Sequence, residues 1–370
     1  MKHTAATTRE AQAGFSIVEL MVSLTLSLIL MGGVLSLVYS SKITYLENER
    51  VAGTQEGGRA AFEMLLRDLR GSGFPGCAQP IAGLVVSNNI LTNPTSLLWS
   101  LDVPLQGYEG SSGTWSPALD PLLSGAAQAP LAPNDIIVLR TIRSSQPQLR
   151  TTVKTYPGDN IVLPKTASQK FAATQNTPYT FVISDCTSTA YFSARVTDGG
   201  TTATLLRNTD ATPSNQSTDL PEAFDPGAQV TPLDSVAYYI APSATPAVKG
   251  VPGAPPPQAG PALWRIVSSN NAAPEEVIPG VERMEIQYGV DTNSDGTVDE
   301  YDNADVVDKA GEWGKVVSVR IAILVRSAQP NSPDTDQKIY TLLNSTAGPF
   351  NDHYERSLYT TTVALRNRTT

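Results

Sequence analysis

Apolar residues run almost unbroken from Phe15 to Tyr39, thin into a helical periodicity up to about Arg70, and then break into short stretches between Pro, Gly, Ser and Asn clusters. At about 1.5 Å per residue, Phe15 to Tyr39 makes a helix of roughly 37 Å, enough to cross a bilayer core. Glu19 is the one charged residue in this run. A carboxylate there costs on the order of 2.5 to 3.5 kcal/mol at mid-membrane and less near the interface, so it wants a partner. Gly32 and Gly33 interrupt the run. They read either as a weak point of the helix or as a place of close helix packing.

Beyond Tyr39, Phe62, Leu65, Leu66 and Leu69 fall at i, i+3, i+4 and i+7 and predict one apolar stripe that packs on a sheet. Glu63 and Arg67 stand four apart in the favourable orientation. Gly71, Gly73 and Pro75 then end the helix. Strands are predicted at Asp135 to Arg143, Tyr179 to Ser184, Ala190 to Val196, Ser235 to Ala241 and Ala262 to Ser268. Later ones are expected at Val281 to Val290, Lys315 to Ser327, Lys338 to Leu343 and Leu358 to Arg366. No convincing helices lie between these runs, so parallel βαβ units are not expected and the sheet should be mainly antiparallel. Residues 242–261, with Pro255-Pro256-Pro257, are too rich in proline and glycine for a strand and should loop out.

The fold class expected is therefore α+β: a long amino-terminal helix, half membrane-like and half amphipathic, packed on a mainly antiparallel β head with long loops. The organisation reads as a leader at 1–14, a membrane helix at 15–39, an amphipathic half at 40–72 and a β-rich head at 73–370.

The 370 residues carry a formal charge of -9. The leader holds Lys2 and Arg9 against Glu10, so its loss leaves about -10 on the rest. Such a body argues against a broad phosphate-binding surface, and no nucleic-acid partner is expected. The basic leader should stay cytoplasmic, which puts the carboxyl end outside the inner membrane. On that side the two cysteines, Cys77 and Cys186, read as a disulfide tying the helix end to the β body, against two buried thiols.

An ordinary secretory signal is cut after its apolar run. Here the small-residue site precedes the run, in Gly14-Phe15-Ser16-Ile17-Val18-Glu19-Leu20. The segment resembles the leader of type IV pilins and type II secretion pseudopilins. That resemblance implies that prepilin peptidase cuts between Gly14 and Phe15 and that Phe15 is methylated. It also implies that Glu19 pairs with the amino terminus of a neighbouring subunit in the filament. Tyr238-Tyr239-Ile240-Ala241, Leu263-Trp264-Arg265, Gly280 to Asp291, Val317 to Ser327 and Val363 to Arg368 resemble the PilW group of minor pilins. About Ser87 to Pro232 resembles nothing specific.

Asp291, Asn293, Asp295, Thr297, Asp299 and Asp302 occupy positions 1, 3, 5, 7, 9 and 12 of a calcium-loop spacing, with Gly296 at position 6. Asp at position 12 departs from the usual Glu, and no clear flanking helices are expected. The alternative is a solvated turn after the strand ending near Val290. With His3 and His353 the only histidines, a zinc site is not expected. No G-x-S-x-G elbow, P-loop or dinucleotide fingerprint appears, so no enzyme is expected, although acidic pairs abound.

The resemblance implies a minor pilin of a Gram-negative bacterium. It would be held in the inner membrane and then incorporated into a surface pilus, in a tip complex with other minor pilins, the major pilin and a tip adhesin. Such pili serve twitching motility and cell adhesion. The competing expectations are a J-like type II secretion pseudopilin and an adhesin or DNA-binding pilin.

Overall fold

Ser16 starts the long helix. Its side-chain oxygen accepts from the Val18 amide at 3.3 Å and its carbonyl from the Leu20 amide at 3.1 Å, which satisfies amides that a helix start leaves open. The helix, α1 (Ile17–Gly71), has 55 residues. This computed structural model describes residues 16–365, apart from 75–84, 88–90, 93–95, 172–177, 245–259 and positions 102, 144, 167, 186, 211, 271, 331 and 333. The chain divides into two units, Met1–Ala52 and Gly53–Thr370.

In the first unit the helix is continuous through Gly32 and Gly33, and among the described residues nothing outside the local helix backbone comes within 4 Å of where a side chain would start at either. In the second unit α1 ends as expected. Gly71 is its last residue, and Gly73 takes φ 69° as its amide donates to the Arg140 carbonyl at 3.0 Å. The Ser72 hydroxyl donates to the Pro104 carbonyl at 2.5 Å.

Among the described residues, twelve strands form the larger sheet. They are β1 (Val85–Ser87), β2 (Leu105–Ser111), β3 (Thr114–Ser116), β4 (Ile136–Ile142), β5 (Leu149–Arg150) and β6 (Ile161–Pro164). Then come β7 (Tyr179–Ser184), β8 (Ser188–Asp198), β9 (Thr202–Arg207), β10 (Gln229–Pro242), β11 (Pro261–Val267) and β12 (Pro274–Pro279). A four-stranded sheet follows in the order β14-β13-β15-β18, made of β13 (Val281–Val290), β14 (Glu300–Asp302), β15 (Val316–Arg326) and β18 (Arg356–Ala364). Between the last two, β16 (Tyr340–Leu342) and β17 (Ser345–Ala347) make a hairpin. Two short helices, α2 (Pro121–Ser124) and α3 (Ala304–Ala310), sit in connections. Pairing is antiparallel throughout except for β1 on β8. The α+β, pilin-like expectation thus holds.

Strand β10 is the spine of the larger sheet. Its first residues pair with β7 and β5, and the rest with β4 on one side and β11 on the other. At the ends of the proline-rich 242–261 segment the strands run one residue further than expected, for Ala241 faces Ala262 and Pro242 pairs with Pro261, while 245–259 lie outside the described residues.

The predicted stripe of α1 is the one that packs. Leu65 and Leu69 are fully buried, together with Ala61, while Phe62 and Leu66 are partly covered. They share one core with Leu139, Tyr238 and Leu263 of the larger sheet and with Ile286, Ile321 and Val363 of the smaller one. A separate core of Phe181, Phe192, Leu205 and Phe224 fills the β6 to β9 region. The charges on α1 pair differently from expectation. Glu63 meets Arg59 at 2.8 Å, and Arg67 meets Asp68 at 3.3 Å.

Candidate functional site

Glu19 lies in the first turn of α1, where the unpaired amides of the helix start favour a negative charge. Around it the surface is almost wholly apolar. Ile17–Tyr45 has a mean hydropathy of 2.2 over its most apolar window, none of it buried within the chain, so this helix is long and apolar enough to cross a membrane. Three hydroxyls near its start are turned inward on their own helix. Ser23 donates to the Leu20 carbonyl at 2.9 Å, Thr25 to Val22 at 2.9 Å and Ser27 to Ser23 at 2.7 Å. Such back-bonding satisfies a hydroxyl where no water is at hand. Gly14 and Phe15 lie outside the described residues.

Cys77 and Cys186 also lie outside them, though their neighbours are informative. Phe74 packs with Val182 of β7 and Tyr191 of β8, the two strands that flank position 186.

The acidic loop joins β13 to β14. Asp291 accepts from the Asp295 amide at 3.1 Å and the Gly296 amide at 2.8 Å. Asn293 accepts from the Asp295 amide at 2.9 Å, and Asp295 from the Thr297 amide at 2.8 Å and hydroxyl at 2.6 Å. Asp299 accepts from the Thr292 amide and hydroxyl at 2.8 and 2.6 Å, and the Asn293 side-chain amide reaches both Asp295 and Asp299 at 3.2 Å. Gly296 takes φ 85°, the sharp turn expected at position 6. Hydrogen bonds from the Thr297 and Thr292 side chains hold the Asp295 and Asp299 carboxyls below their ordinary value.

The structure therefore brings Asp291, Asn293, Asp295, Thr297 and Asp299 together. Asp302 is set apart on β14, paired with Tyr288, and takes no part in these loop bonds. Contrary to the expectation of no nearby helix, α3 follows directly, ended by Gly311 at φ 68°. Its seven residues, with Val306 and Val307 between Asp305 and Asp308, are too short a run for a periodicity to be read.

Comparison with known families fixes the two ends. Residues 237–367 match the family described as type IV pilus-assembly protein W, from the middle of β10 to beyond β18. Residues 9–35 match the prokaryotic N-terminal methylation motif. Together they support one assignment: a PilW-family pilin with a prepilin-type signal. No curated protein and no solved structure matches the chain. The pilin's methylation signal and apolar helix fit inner-membrane anchoring and pilus assembly, and both matched families are structural pilus components. Its PilW match takes in α3, the acidic loop and the sheet beneath α1, whereas β1 to β9 precede it.

Proposed function

We propose that this chain is a minor pilin that primes type IV pilus assembly from a tip complex with other minor pilins and the major pilin, presenting a tip adhesin. Prepilin peptidase cuts between Gly14 and Phe15, Phe15 is methylated, and the body stands outside the inner membrane until the subunit enters a surface pilus. The observation that carries this reading is an uncovered apolar helix with Glu19 in its first turn, in a chain whose last third matches the PilW family. In a bundle of such helices the Glu19 carboxylate meets the amino terminus of a neighbour, which offsets the cost of its desolvation.

Two tests bear on it. The amino terminus of the membrane-borne protein should be N-methylphenylalanine from Phe15; an intact Met1, or a cut beyond the apolar run, would falsify the processing step. Deletion of the gene should abolish surface pili while leaving exoprotein secretion intact. Lost secretion with normal pili would instead make this a type II pseudopilin.

Two structural elements complete the reading. Cys77 and Cys186 form a disulfide, supported by Phe74 packing on the strands either side of position 186. Thiol labelling of the exported protein should find no free cysteine before reduction and two after it. The acidic loop binds calcium through Asp291, Asn293, Asp295, the Thr297 carbonyl and Asp299, with Asp302 at position 12. Calcium should raise the melting temperature and Asp295→Ala should diminish that response.

A further inference from the structure

A second group of acidic residues lies between the two sheets, with Asp135 and Glu285 buried and Glu109 half-buried. Glu109 on β2 and Asp135 just before β4 oppose each other one step beyond the Tyr108–Ile136 pair, on the face that also carries Gly107 and Ile137. Glu285 comes from β13, whose Ile286 amide donates to Asp135 at 2.7 Å. One carboxylate oxygen from each of the three lies within 4.8 Å of the others.

The group is charged beyond what its partners balance. Arg283 donates to Glu285 at 2.9 Å, and Asp135 accepts from the Gly110 amide at 2.9 Å. The Asn303 side-chain amide reaches one Glu109 oxygen at 3.1 Å, leaving the other buried without a partner. Three carboxylates against one guanidinium leave a formal charge of -2. Tyr288 supplies an independent observation. It is fully buried, its hydroxyl has no partner, and that hydroxyl ends against Gly107, the residue beside Glu109 on the same face. A buried hydroxyl without a partner is costly, and so is an uncompensated buried charge.

We infer that Glu109, Asp135, Glu285 and the Tyr288 hydroxyl form a site for one hard divalent cation of the calcium type, which fastens the β2–β4 edge of the larger sheet to β13. All donors are oxygens, as such cations require, and one double charge balances the group. Oxygens 2.3 to 2.6 Å from calcium can stand up to about 5 Å apart across the ion, whereas magnesium demands a tighter and more regular set. Burial keeps these carboxyls protonated for longer than usual in the absence of a cation: Glu109 is pushed up to about 7, Asp135 well above the carboxylate range and Glu285 upward. A bound cation takes the place of those protons.

The site shares no ligand with the acidic loop, although Tyr288 pairs with Asp302 at the loop's end and Asn303 reaches Glu109, and it does not depend on the chain's place in a pilus; the test separates the two sites. The full chain in detergent micelles, stripped of metal, is dialysed against radioactive calcium near neutral pH. The Asp295→Ala chain should keep one calcium per molecule, and adding Glu109→Gln should weaken that binding on the order of tenfold or more. No calcium on the Asp295→Ala chain, or unchanged affinity after Glu109→Gln, overturns the inference. If Glu109→Gln fails to fold, Tyr288→Phe keeps the ring and removes only the hydroxyl. It should weaken binding several-fold, and unchanged affinity there overturns the inference equally.

Discussion

Arg356 shows how much one residue holds in place. Its guanidinium is wholly buried at the start of β18 and reaches Glu282 at 2.6 Å, Asp336 at 2.9 Å and Asp352 at 2.6 Å, with the Phe350 ring 3.7 Å away. Arg356→Met keeps the bulk but takes the guanidinium from Asp336 and Asp352 and leaves Glu282 with Arg326 alone, and should cost about 3 to 5 kcal/mol in a denaturant titration of the full chain. The same contact sets an acid limit. The hydrogen bond from Arg356 holds the Asp352 carboxyl below its ordinary 3.8. A depressed folded value means that the stabilisation is present above about 3.8 and is lost as pH falls through the folded value. Acid unfolding of the native chain should therefore set in below pH 4, and Arg356→Met should move its midpoint upward. The sequence offered no sign of this group, because its members lie up to 74 residues apart and no spacing rule joins them. The loop carboxylates were legible for the opposite reason, since their ligand spacing is local.

Among elements, the second half of α1 was the most legible, because a 3.6-residue period survives whatever the helix packs against. Leu65→Ala should cost about 2 to 5 kcal/mol, read from chemical unfolding, since Leu65 has no exposed surface and lies in the core shared by both sheets. The glycines of the same helix were not legible as a set. Ring atoms of Tyr359 on β18 fill the space where a Gly58 side chain would go, and its hydroxyl donates to the Thr54 carbonyl at 3.2 Å. Around Gly53 there is nothing within 4 Å. Gly58→Ala should thus lose about 1 to 3 kcal/mol, whereas Gly53→Ala should gain about 0.5 to 1 kcal/mol by helix propensity, both measured by thermal unfolding. Strands β7, through a β-branched and aromatic run, and β13, through apolar residues alternating with polar ones from Met284 to Val290, fell on their expected bounds. Strand β2 was missed because Gly107 and Gly110 break its pattern, and both glycines are required by close neighbours, the Tyr288 hydroxyl and the Asn134 backbone.

At the scale of the whole molecule, the second unit is built on β10, and the PilW match begins partway along that strand. The residues before it add β1 to β9 and the core around Phe181 and Phe192, which no local pattern announced as a body of its own. The hairpin of β10 and β11 is zipped to its last pair, Pro242 with Pro261, and the Ser243 amide donates to the Gly260 carbonyl at 2.7 Å. Replacing 245–259 by a linker of half the length should therefore change stability by less than about 1 kcal/mol, checked by urea unfolding, because halving a loop alters closure entropy by only about 0.6 kcal/mol.

The inward-turned hydroxyls of Ser23, Thr25 and Ser27 bear on transfer. These three hydroxyls, already bonded to their own helix, exchange no hydrogen bonds with their surroundings, so passage from lipid tails to a bundle of like helices leaves them energetically indifferent. Extraction of the segment from a membrane is then weighed on packing and on the single carboxylate of Glu19, the one charge along Ile17–Tyr39 that registers which medium it is in.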